Sequence, residues 1–265
     1  MNAPAPPVSG PRGATALRHA FGGVLRLALA RWAAPAHALA LAGIVALLGL
    51  LCGAFLHAKS GPHFYLGWIV GFYFTFLVPL MAFLSAGGAV REDFRPESVD
   101  YLATRPVGRP AYLVCRYLAH LLCAEADFLC AFAVLAVAGL AGGAADLGRA
   151  LPDLLLAQAL AVAAFAALGF LGGVITSRYV IVGLVYGAVI EVGLGQIPTE
   201  LDRLSLTHQL RLFLDPFLAS PALGPPAQGA VVTAALLAGY AAVMLAVAAA
   251  IFSRRELAGA AAREG

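Results

Sequence analysis

Charge is what this chain has least of. Charged side chains make up 12% of its 265 residues, against roughly 25% in soluble domains. Lysine occurs once, at Lys59. Such a composition argues against a soluble domain, and it leaves no clustered basic face of the kind nucleic-acid binding needs. The four cysteines, Cys52, Cys115, Cys123 and Cys130, fall in or at the ends of apolar runs without CxxC spacing. They therefore suit neither a disulfide framework nor a zinc ribbon. The chain has no GxxxxGK[ST] phosphate loop, no HExxH and no GxSxG, which removes the usual nucleotide, zinc-peptidase and serine-hydrolase machinery.

What is abundant is apolar surface, with hydrophobic residues at 62% of the chain. Six segments reach the roughly 17 to 25 residues that a spanning helix needs. They run near Ala36 to Leu56, Tyr65 to Val90, Ala111 to Leu140, Asp153 to Thr176, Tyr179 to Gln196 and Gly229 to Phe252. Ahead of them, residues 1–13 are rich in proline, glycine and alanine, a composition that predicts a disordered tail. Over residues 14–34, Leu17, Phe21, Leu25, Leu29 and Trp32 recur at helical spacing. That stripe predicts an amphipathic helix in the headgroup plane, ending before Pro35. A signal peptide fits less well, because a full-length apolar run follows without a clear cleavage site.

The basic residues orient the bundle. With both termini inside, the inner segments carry 13 arginines and the outer ones hold only Lys59, Arg149, Arg203 and Arg211. An excess of this kind marks the cytoplasmic side. The expected fold is thus all-α and polytopic: an interfacial helix, a six-helix domain over 36–252, both termini cytoplasmic, and a cytoplasmic tail over 253–265. The outer connection 197–228 is long and rich in leucine, so it predicts short amphipathic helices on or in the outer leaflet, broken at Pro216 and Pro221.

The inner connection 91–110 is the only long polar stretch dense in both charge signs. Glu92 opens it, Tyr101 and Leu102 form an apolar turn, Pro106, Val107 and Arg109 make a Pro-Val-x-Arg element, and Arg116 stands at the next span entry. This pattern resembles the first cytoplasmic loop of permease subunits of type-2 ATP-binding-cassette (ABC) exporters. Glu97 and Ser98 stand where that family has Gly-Thr, Gly108 replaces Ser, and Cys115 replaces Gly. The motif covers about 25 residues, while the architecture covers nearly the whole chain.

The resemblance implies a separate ATPase dimer that binds ATP and Mg, a second permease copy or a similar permease, a plasma-membrane location and no cofactor held by this chain. It implies that a helix from about Glu92 to Thr104 docks on the ATPase. Phe94, Val99 and Leu102 would then be apolar anchors, Glu92, Asp93 and Glu97 a polar rim, and Pro106 and Arg109 part of the same coupling element. A helix resting on the inner leaflet is the alternative. An integral membrane enzyme acting on lipid or a non-transporting scaffold are the competing functions. Against the enzyme, Glu125 has no second carboxylate to pair with.

One stripe in the third segment carries the remaining chemistry. Arg116, His120, Cys123, Asp127 and Cys130 recur at steps of four and three, placing them on one narrow face, with Glu125 roughly opposite. Ionisable groups at membrane depth face protein or water, so the stripe is expected inside the bundle or at an interface with another permease. A soft-metal site, a contact for a polar substrate and interhelical hydrogen bonding all remain open. The last is favoured because one helix supplies too few converging ligands. Arg116 is read as snorkelling to the inner interface. Glu191, near the outer end of the fifth segment, is read as structural, with an outward gate or substrate contact as the alternative.

Overall fold

Small residues make the fourth apolar segment the axis of the fold. In the computed structural model, which describes residues 14–58, 61–94, 108–144, 147–187, 189, 191, 205–218 and 230–254, it is the helix Leu147–Ile175. Ala157, Ala161, Ala164, Ala166, Ala167, Gly169, Gly172 and Gly173 lie buried along it, and neighbouring helices approach closely over that face. The chain is all-α: the regular structure of the described residues is entirely helical. Its helices are α1 (Ala14–Trp32), α2 (Pro35–Leu56), α3 (Gly61–Trp68), α4 (Val78–Asp93), α5 (Arg109–Ala141), α6 (Leu147–Ile175), α7 (Tyr179–Tyr186), α8 (Leu206–Leu218) and α9 (Ala230–Arg254), with a π-helical stretch Ile69–Leu77 joining α3 to α4.

Among the described residues, five stretches are long and apolar enough to cross a membrane: Pro35–Leu56, Phe64–Asp93, Arg109–Ala141, Leu147–Ile175 and Val231–Arg254. The expected fifth segment, Tyr179 to Gln196, is described as helix only over Tyr179–Tyr186, with π geometry at Gly187, Val189 and Glu191. Its remainder lies outside the described residues. So do residues 1–13, the connection from Arg95 to Val107, Pro221 and the tail from Arg255.

The second span changes its winding where Pro79 demands it. Proline has no N–H to donate, and its ring collides with the carbonyl four residues back. The turn before Pro79 is accordingly widened, with the Val78 N–H donating to the Tyr73 carbonyl five residues earlier.

α6 packs on α4 and α9, and α5 closes one side of the group. Gly169 and Gly173 sit directly on the backbone of α4, at Phe83 and Gly87. α1 and α2 both follow α5 in the same direction. Arg18 and Phe21 lie beside Pro110 to Leu118, Val24 and Ala28 pack at Ala119, and Leu56 reaches Gly142. The face that α1 buries is therefore Phe21, Val24, Leu25 and Ala28, while Leu29, expected on the apolar arc, is exposed. Phe21 and Leu25 of the expected stripe thus pack on α5, joined there by Val24 and Ala28 from the neighbouring face.

The amphipathic helix expected within 197–228 packs on the chain itself. α8 turns Leu206, Leu210, Phe213 and Leu214 inward against α6, α9 and the π stretch. Its apolar face is covered by protein, and the helix continues through Pro216 to Leu218.

Candidate functional site

The polar stripe of α5 meets its partners in a cleft of about 490 Å³ between α1, α2, α4 and α5. The cleft divides into two polar groups with an apolar wall.

The lower group is built on Arg116. Its side chain is buried, its Nε donates to Asp93 Oδ2 at 3.2 Å, and its Nη2 donates to the Ala89 carbonyl at 3.1 Å. Nη2 also lies 3.7 Å from Glu92 Oε2. Glu92 in turn pairs with Arg31 at the end of α1. Two cations thus meet two carboxylates, and the last turn of α4, the first turns of α5 and the end of α1 are tied together. Arg116 does not snorkel to water as expected from sequence. A guanidinium this deep is tolerated because its donors are matched by carboxylates and a carbonyl.

The upper group is built on Asp127. Trp32 Nε1 donates to its Oδ1 at 2.8 Å, and His37 Nε2 lies 3.1 Å from the same oxygen. These two residues flank the short break between α1 and α2, so Asp127 pins that corner to α5. Between the groups stand Cys123 and His120, the latter 3.5 Å from Ser85 Oγ and against the Phe170 ring at 5.8 Å. The expectation of interhelical hydrogen bonding therefore describes Asp127. Cys130, assigned to the same stripe, is exposed and does not line the cleft. Among the described residues no group of three or more His, Cys, Asp or Glu side chains gathers as a metal set would.

Glu125 lies apart on the far side of α5, half-buried, within electrostatic reach of Tyr73 and Tyr117. Glu191 serves a different element altogether. Its carboxylate accepts the backbone N–H groups of Leu206, at 3.1 Å, and Thr207, at 3.0 Å, and the hydroxyls of Ser205 and Thr207. A carboxylate on the free N–H groups of a first turn is a helix cap. Glu191 holds the start of α8.

The residues expected to couple to an ATPase divide. Asp93 and Phe94 are buried within the chain, Asp93 on Arg116 and Phe94 edge-on to Phe252 at 5.6 Å. They belong to the base of the bundle, not to a rim and an anchor on its surface, and Glu92 closes the last full turn of α4 beside Asp93 instead of opening a new helix. Arg109 is exposed at the start of α5. Glu97, Val99, Leu102 and Pro106 lie outside the described residues.

Sequence reasoning missed Arg31, His37 and Ser85 as partners of this face. The available signal was the polar pair Arg31 and His37 on either side of a proline break, which composition alone cannot direct toward a particular neighbour. In comparison with known proteins, the chain matches no family model and no curated sequence.

Proposed function

We propose that this chain is the membrane-spanning permease subunit of an ATP-driven exporter of the type-2 ABC kind, working with a separate ATPase and a second permease. In this reading it crosses the plasma membrane six times with both ends in the cytoplasm. The segment Arg95 to Val107 is the handle on which the ATPase acts, with Val99 and Leu102 as its apolar contacts. ATP and Mg belong to the ATPase.

One observation carries the proposal. The inner connection leaves α4 right after Asp93 and enters α5 at Arg109, about two turns ahead of Arg116, and the Arg116–Asp93 ion pair ties those two helix ends together. A force on this connection therefore reaches two spans at once, and through Glu92 and Arg31 it also reaches α1. A coupling element needs such rigid attachment to rotate helices instead of flexing by itself. The sequence pattern from Glu92 to Arg116 supplies the family resemblance.

The test is copurification with an ABC-type ATPase whose turnover depends on this chain. Val99→Asp combined with Leu102→Asp is expected to leave insertion intact and to abolish the stimulation of ATP hydrolysis. These positions are preferred to Glu92, whose reversal would also break an internal ion pair. Labelling of the 95–107 connection from outside intact cells would overturn the reading.

A further inference from the structure

The cleft has a charge and an opening that do not depend on any ATPase. In its lower group Arg31 and Arg116 are matched by Glu92 and Asp93. Asp127 is different: among the described residues it faces the Trp32 N–H and His37 and no arginine or lysine. A carboxylate accepts about four hydrogen bonds, and its side chain remains 25% exposed. Cys123 stands one turn below Asp127 on the same helix, and His120 is directed to Ser85. Beyond Asp127 the wall is apolar, formed by Leu41, Ile44, Leu77, Met81 and Phe128.

The opening is lateral. α2 packs on α5 and α3 but scarcely on α4, so the gap lies between two apolar helices and faces sideways. α5, with 33 residues, is about 50 Å long, more than a hydrocarbon core of roughly 30 Å requires. Counting about 20 residues back from Ala141 sets the inner boundary near Leu122. Asp127 then lies about five residues, or ~8 Å, inside it, at the depth where a head group drawn slightly into the bilayer would meet it.

We propose that this cleft binds a single-chain amphiphile with a primary-amine head, its ammonium on Asp127 and its chain along Leu41, Ile44, Leu77 and Met81. An ammonium brings the donors that Asp127 can still accept, and the Trp32 and His37 rings, 6.2 Å apart, flank the carboxylate. The volume of about 490 Å³ is in the range of small-molecule sites, about 300 to 1,000 Å³.

The experiment uses the full chain in phosphatidylcholine nanodiscs, carrying Trp68→Phe so that Trp32 is the sole emitter. It is titrated with dodecylamine, dodecanol and dodecanoate, which share a chain and differ in head. Dodecylamine is expected to give a saturable change in Trp32 emission at about tenfold lower concentration, or less, than either other compound. Asp127→Asn is expected to erase that preference. Ala40→Phe, which fills the cleft from α2 and leaves Asp127 and its partners in place, is expected to abolish the saturable response to all three. Equal responses to the three heads, amine binding that survives Ala40→Phe, or no saturable response because a second copy of the chain fills the gap would each overturn the proposal. If Asp127→Asn does not fold, the head comparison and Ala40→Phe decide.

Discussion

Trp32 and Asp127 are 95 residues apart in sequence and joined by a 2.8 Å hydrogen bond from the indole N–H to a carboxylate oxygen. With His37 on the same oxygen, this contact fixes where α1 ends and α2 begins against α5. Asp127→Ala should loosen that corner. The expected loss is about 1 to 3 kcal/mol, the range for a hydrogen bond to a charged group and its unmade partner. Thermal unfolding in detergent and a change in the Trp32 emission would measure it, and an unchanged Trp32 signal would contradict the assignment.

Arg116 and Asp93 make a second test. Asp93→Leu alone leaves a buried guanidinium without its nearest carboxylate, and a cost of about 3 to 5 kcal/mol is expected. Arg116→Met together with Asp93→Leu should recover much of that, since an apolar pair of similar size replaces an ion pair at little net cost. Equal destabilisation by the single and double changes would show that the two do not act as a pair.

Glu191→Ala removes the carboxylate from the first turn of α8. The expected cost is about 1 to 2 kcal/mol, as for loss of a helix cap. Hydrogen exchange should accelerate over Leu206–Leu218 while the α4–α6 contact stays protected. Uniform acceleration across the chain would instead point to a global role.

Glycine positions separate close packing from mere composition. A Cβ at Gly173 would meet the Gly87 carbonyl oxygen at 2.7 Å, a backbone atom that cannot swing aside. Gly173→Ala should therefore push α6 off α4 and destabilise by about 1 to 3 kcal/mol. Gly53→Ala, where nothing lies within 4 Å, should be neutral or slightly stabilising, because alanine favours helix by about 1 kcal/mol. Paired thermal melts of the two variants would check both signs.

The sequence by itself determined the apolar, all-helical character of this protein and the rough positions of its helices. The apolar runs over Pro35–Leu56, Arg109–Ala141 and Ala230–Arg254 are helices within a residue or two of expectation, because an apolar run of this length closes its backbone hydrogen bonds within one helix. The helical stripe of Arg116, His120, Cys123 and Asp127 was equally legible, since spacing fixes which side chains share a face. Spacing does not say what that face meets. Only the tertiary structure decided that Arg116 turns to Asp93, that Asp127 takes Trp32 and His37, that Glu191 caps α8, and that α1 rests its Val24 and Ala28 face on α5. These partners lie from about 15 to 95 residues apart in sequence, and their choice follows from how whole helices pack on one another, which no local pattern encodes.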